Sequence, residues 1–194
     1  PIIGIDYKAG RLNLAAKYQF KTRMRMKNKS TVKETSLISA INKFKDGERV
    51  AEDNPALLTV GAQYEIVPAL RVMAGWHHYF DVDTKQYTKA MLGDSNEYLA
   101  GAELDVCKKL QVSAGMQRTE YGFKDEGMND ISFNVSSYSV GLGVGYSVTG
   151  NIKVNAAYFH TLYDDYDKSA DAIGATNSFT RTNRVFGLGV DLKF

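Results

Sequence analysis

The side chains able to carry chemistry in this chain are few and scattered. His77, His78 and His160 are its three histidines, Cys107 is its one cysteine, and carboxylates gather at Asp81 to Asp83 and between Asp164 and Asp167. A hydrolytic centre needs a nucleophile, a base and an orienting acid, and no Ser, His and Asp set stands out. Zinc needs three or four His, Cys or carboxylate ligands, and none of the three histidines has a carboxylate or thiol at ligand spacing. The aspartate clusters have the oxygen-rich chemistry that suits calcium, but solvated loop tips have the same composition. One cysteine closes no internal disulfide. The sequence thus points away from an enzyme, a metal site and a cofactor, and toward binding or transport.

The elements that would position such a function are legible in the pattern of apolar residues. The 194 residues are 44% hydrophobic and 24% charged with a net charge of +2, which gives no bias toward nucleic acid. No run of about 18 apolar residues exists, so a transmembrane helix is excluded. A membrane barrel passes that filter, because its strands need only about 9 to 11 residues with alternate positions polar. The end of the chain, Phe186-Gly187-Leu188-Gly189-Val190-Asp191-Leu192-Lys193-Phe194, alternates in this way and closes on an aromatic. That is the ending of bacterial outer-membrane barrels, and Phe194 is the residue expected to engage the barrel-assembly machinery. Twelve Tyr, nine Phe and 17 Gly against three Pro lean the same way.

Nine strands are predicted, at Ile2 to Tyr7, Leu12 to Met26, Leu57 to Ile66, Leu70 to Phe80, Glu97 to Val106, Leu110 to Tyr121, Phe133 to Val148, Ile152 to Tyr163 and Thr180 to Phe194. From the second onward, the even-numbered residues carry the apolar face, as in Leu58, Val60, Ala62 and Tyr64 or Leu142, Val144 and Tyr146. A soluble sandwich would bury this face, whereas a membrane barrel turns it to lipid. The connections alternate between tight (Lys8-Ala9-Gly10, Val67-Pro68-Ala69, Cys107-Lys108-Lys109, Thr149-Gly150-Asn151) and long (27 to 56, 81 to 96, 122 to 132, 164 to 179). Such asymmetry separates periplasmic turns from extracellular loops. Outward aromatics fall at two heights, Tyr7, Tyr64, Tyr146 and Phe194 near the turns and Tyr18, Phe20, Trp76, Phe80, Tyr98, Tyr138 and Tyr158 nearer the loops, as interfacial girdles do.

On the inward parity, small residues recur at one height: Ala15, Gly61, Gly75, Gly101, Gly115, Gly143, Ala157 and Gly187. Glycine weakens a strand interior, so a belt of it implies a close approach or a need for space, around a plug, a ligand path or both. Relief of curvature at barrel corners is the competing explanation. Nearer the turns the inward residues are charged, with Glu65 expected opposite Arg71 and with Glu103, Asp105, Lys153, Asp191 and Lys193 at similar depth. Both signs are present, as in a structural network rather than a selectivity ring.

The segments Ala15-Ala16-Lys17-Tyr18-Gln19-Phe20-Lys21, Pro55 to Tyr64 and Tyr98-Leu99-Ala100-Gly101-Ala102-Glu103, with the terminal strand, resemble the carboxy-terminal part of the FadL-like long-chain fatty acid transporters. The resemblance implies a 14-stranded outer-membrane barrel with an amino-terminal hatch, importing hydrophobic molecules. Residues 1–194 would then be a single barrel domain forming the last nine strands, with the hatch and early strands lying before Pro1, which itself opens within a strand. Thr35 to Lys45 reads as an amphipathic helix with Leu37, Ile38, Ile41 and Phe44 on one face and Thr35 as N-cap. In the resembled family, extracellular loop helices form the groove that first captures ligand. Those four residues are the candidate groove, with Lys43 and Lys45 to attract an acidic head; packing on the barrel rim is the alternative. The expected partners are outer-membrane lipid and a hydrophobic small molecule. A general porin for polar solutes and a structural or adhesive surface barrel are the other readings.

Overall fold

The computed structural model describes residues 1–29, 46–128, 133–170 and 175–193. All nine predicted strands are present. In chain order the strands are β1 (Ile2–Ala9), β2 (Leu12–Gln19), β3 (Arg25–Lys27), β4 (Arg49–Ala51), β5 (Leu57–Val67), β6 (Leu70–Tyr79), β7 (Ser95–Cys107), β8 (Leu110–Glu120), β9 (Ser137–Ser147), β10 (Ile152–Tyr163), β11 (Tyr166–Ala170), β12 (Ala175–Phe179) and β13 (Thr182–Leu192). Nine of them form one antiparallel sheet in the order β1-β2-β5-β6-β7-β8-β9-β10-β13, each neighbour following its predecessor along the chain as in an up-and-down barrel. Among the described residues β1 and β13 do not pair with each other, so the sheet is an open wall.

The tight connections lie together at one end. Gly10, with φ of +58°, supplies the left-handed residue that the two-residue turn between β1 and β2 requires. Pro68-Ala69 and Lys108-Lys109 make the next two, each flanked by a bulge where the ladder shifts, between Glu65 and Val67 and between Asp105 and Cys107. Neighbouring turns are tied by backbone bonds, with the N–H groups of Glu65, Asp105, Ser147 and Lys193 donating to Arg11, Ala69, Lys109 and Asn151.

Two strand ends and one connection differ from expectation. The predicted Leu12 to Met26 strand breaks after Gln19, because Thr22 bridges to Asn54 and residues 25–27 pair instead with 49–51 in a β3-β4 hairpin above the sheet. The predicted Phe133 to Val148 strand begins only at Ser137, and a second loop hairpin, β11-β12, occupies the connection between β10 and β13. Strands of three and five residues are too short for alternation to register, so neither hairpin leaves a periodic signature.

The register decides which face is which. Pairs such as Val60↔Trp76, Trp76↔Tyr98, Leu142↔Tyr158 and Val154↔Val190 keep even residues opposite even residues from β2 to β13. In β1 the parity is reversed, Ile5 facing Ala16 and Tyr7 facing Leu14. The even face is bare even at the sheet's centre, with Met116 64% and Leu142 63% exposed. The buried apolar residues among those described, Ala56, Leu92, Met128 and Val135, all lie at the long-loop end, so the sheet has no water-excluding core of its own. A soluble protein would not leave such a face uncovered; hydrocarbon removes the cost.

Candidate transport site

The odd-numbered face is concave and holds a cavity of about 620 Å³. Its wall is built from Gly61, Gly75, Gly101, Gly115, Gly141, Gly143 and Ala157, with Met73, Leu99 and Phe159 projecting between them. Five of the six belt glycines singled out from the sequence line it; Gly187 lies next to the wall, opposite Ala157 on β13.

The belt steps across the hydrogen-bond ladder. Ala15 faces Gly61 and Gly61 faces Gly75, but Gly75 then faces Leu99, and the belt resumes two residues on at Gly101, which shares a row with Gly115 and Gly141. A second step of two leads to Gly143, Ala157 and Gly187. Both steps run toward the tight turns. Strands of a closed barrel tilt against its axis, so a level belt must cross ladder rows in one direction. The space is real at several positions: an added Cβ at Gly61 would come no closer than 3.7 Å to another atom, and one at Gly187 would meet nothing within 4 Å.

Polar side chains bound the apolar band on both sides. Toward the loops, Glu97 accepts from Tyr79 Oη at 3.2 Å and Gln117 Nε2 at 3.2 Å, and its Oε2 lies 2.8 Å from His77 Nδ1. Gln117 also donates to Thr119, and Ser139 and Thr161 bond across β9 and β10 at 2.9 Å. Toward the turns, Arg71 donates to Glu103 at 2.7 Å and to Asp105 at 2.9 Å, Gln111 donates to Asp105, and Lys153 donates to Gln111 at 2.8 Å. Glu65 is opposite Arg71 in the register as expected, yet the guanidinium turns to the other neighbour, where two carboxylates on β7 give it more bonds than one would. Two bands of hydrogen-bonded polar groups thus flank an apolar waist on this face of the sheet.

Two kinds of residue escaped the sequence reading. Met73, Leu99 and Phe159 are large apolar side chains at the inward parity, and their departure from alternation was the signal that they line something apolar. Glu97 lies 20 residues from His77 in sequence. Only the β6-β7 register brings them together, which no local spacing reveals. His78 and His160 sit on the outward parity; His78 Nδ1 lies 2.9 Å from Asn96 Oδ1, which also accepts from Trp76. Among the described residues no group of His, Cys, Asp and Glu is arranged to hold a metal ion. The candidate groove residues Leu37, Ile38, Ile41, Phe44, Lys43 and Lys45 lie outside the described residues, and so does Phe194.

Comparison with known proteins agrees with the architecture. The sequence profile of the Gram-negative porin family matches residues 2–167. The chain belongs to that family. This places it in the outer membrane of a Gram-negative bacterium, with its even-numbered face toward lipid. Among solved structures it is similar to a FadL homologue of Pseudomonas aeruginosa, at 16% identity and a TM-score of 0.73 over 98% of this chain and 51% of that one. The toluene transporter TodX of P. putida matches at 15% identity and a TM-score of 0.63, over 99% of this chain and 48% of that one. OmpT, an outer membrane protein of Vibrio cholerae, matches at 15% identity and a TM-score of 0.58, over 97% of this chain and 53% of that one. The fold of this porin-family chain is therefore that of the FadL-type barrels, and the chain spans about half the length of these structures. No curated protein matches its sequence.

Proposed function

We propose that the protein is a passive outer-membrane route for small hydrophobic molecules, such as long-chain fatty acids or hydrocarbons, and that its nine strands are the carboxy-terminal wall of a larger barrel. The observation that carries this reading is the apolar waist: Met73, Leu99, Phe159 and a glycine belt beside about 620 Å³, between two polar bands. Water gains little in such a band, whereas an apolar solute leaves water for it at about 25 cal/mol per Å² of surface buried. The toluene transporter TodX and the monoaromatic hydrocarbon channel CymD share the fold. Capture at the cell surface is assigned to Leu37, Ile38, Ile41 and Phe44, on their amphipathic spacing alone, with Lys43 and Lys45 beside them.

The porin-family match and the charged residues at either end of the waist favour a second reading, diffusion of polar solutes through a wet lumen. The protein purified from outer membranes and placed in liposomes separates the two. The hydrophobic route predicts entry of a radiolabelled hydrocarbon or fatty acid well above that of empty liposomes, with slow swelling in a small sugar. Rapid sugar-driven swelling without hydrocarbon entry would replace it with the porin reading.

A further inference from the structure

A second concavity, of about 590 Å³, opens at the tight-turn end of the same face, lined by Lys108, Lys109, Lys153, Lys193 and Asp105 among its charged residues. It joins the apolar waist across the charged network of Arg71, Glu103 and Asp105. Asp105, Gln111 and Gly145 are the next inward positions after Glu103, Ser113 and Gly143, about 7 Å further along the strands.

The sign of this mouth is positive. Its one carboxylate, Asp105, is already engaged by Arg71 and Gln111, and the nearby Asp191 accepts from Asn155 Nδ2 at 2.8 Å. Among the described residues, Lys108, Lys109 and Lys193 form no ion pair. Lys153 is held in place: it donates to Gln111 Oε1 at 2.8 Å, and its stem lies across β9 where Gly145 has no side chain. A Cβ at Gly145 would stand only 2.5 Å from Lys153 Cε. The glycine therefore lets this cation reach over the neighbouring strand into the mouth.

From this geometry we infer that the periplasmic mouth of the lumen is an anion site, taking a carboxylate or phosphate group at Lys108, Lys109, Lys153 and Lys193. The inference rests on the proposed hydrophobic route for its position at the exit, and it adds a charge preference to that route. Two sources share this chemistry: the acidic head of an amphiphile whose tail occupies the waist, or a free periplasmic anion. Neutral hydrocarbons would pass without engaging the lysines.

Equilibrium binding to the protein purified from outer membranes tests the site with four probes: dodecanoate, dodecanol, acetate and inorganic phosphate. The comparison is between the native chain, K108Q/K109Q/K193Q, and the same three positions changed to Arg. All three lysines are exposed and their side chains form no ion pair among the described residues, and heat-modifiable gel migration checks assembly. The Gln variant should bind dodecanoate about tenfold or more weakly, the scale expected for losing charge-assisted contacts. Dodecanol binding should be unchanged, and the Arg variant should retain dodecanoate. Native affinity for dodecanoate should also fall as salt rises. Phosphate or acetate binding as tight as that of dodecanoate and lost in the Gln variant supports the site with a free anion as its occupant. Dodecanoate binding that is the same in native and Gln proteins, with neither small anion bound, overturns the site. Absence of dodecanol binding to the native protein, with anion binding that still depends on the three lysines, would instead reject the hydrophobic route and leave the anion site standing.

Discussion

Parity is the property that matters most for a single residue here. Leu142 and Gly143 are sequence neighbours, yet one faces lipid and the other the lumen wall. An arginine at Leu142 must reside in hydrocarbon, at a cost of about 2–4 kcal/mol near the midplane. Gly143→Ser asks only that the Ser113 hydroxyl, 2.5 Å from the new Cβ, rotate away. Leu142→Arg is therefore expected to block folding into lipid vesicles, scored by heat-modifiable migration, while Gly143→Ser assembles. The charged network offers a second case. Arg71→Met leaves Glu103 and Asp105 facing each other without their shared cation, and should destabilise the folded barrel by about 1–3 kcal/mol in urea titrations, the range for hydrogen bonds to charged groups. Adding Glu103→Gln and Asp105→Asn should recover much of that loss. The sequence showed these residues at one depth because alternation fixes the face; it did not show that Arg71 prefers β7 to Glu65, since rotamer choice depends on which neighbour offers two acceptors.

Strands with one apolar face announce themselves, and elements without one do not. All nine sheet strands were readable from period-two alternation, and their order followed from the alternation of short and long connections. The β3-β4 and β11-β12 hairpins were not readable, because strands of three and five residues are too short for alternation to register. The first of these is anchored by Asp53, whose side chain is 1% exposed and lies 3.1 Å from Lys21 Nζ, with Met24 N–H donating to it at 3.2 Å. Burial pushes the Asp53 carboxyl up, but the Lys21 bond and charge and the Met24 and Lys85 backbone bonds outweigh it, so its pKa lies below the ordinary value of 3.8. A carboxyl depressed in the folded state stabilises above its unfolded value, and that contribution disappears as pH falls through the folded value. The hairpin and its flanks should hold at neutral pH and open below the ordinary carboxylate range. Hydrogen exchange of residues 20–29 and 46–56 across that range checks this, and Asp53→Asn should already be more open at neutral pH.

At the scale of the whole sheet, the nine strands form a wall with two unlike faces. Its outer face is apolar without a core behind it, and its inner face changes along the strands from a polar band at Glu97, through an apolar waist, to a charged network and a lysine-lined mouth. The waist was only partly legible beforehand. Glycines at inward parity marked the space, whereas the three side chains that make it hydrophobic were hidden as irregularities in a pattern read for its regularity. The central claim is that solute passes through this waist, and filling it tests that claim most directly. An added Cβ at Gly61 meets no closer neighbour than Ala74 O at 3.7 Å, so Gly61→Phe should assemble, as heat-modifiable migration checks, while its ring enters the concavity. Uptake of a radiolabelled hydrophobic compound by cells relying on this protein should then fall several-fold in Gly61→Phe and be unaffected by Val60→Phe on the lipid face of the same strand. Uptake in the assembled Gly61→Phe protein equal to that of the native chain would contradict the account.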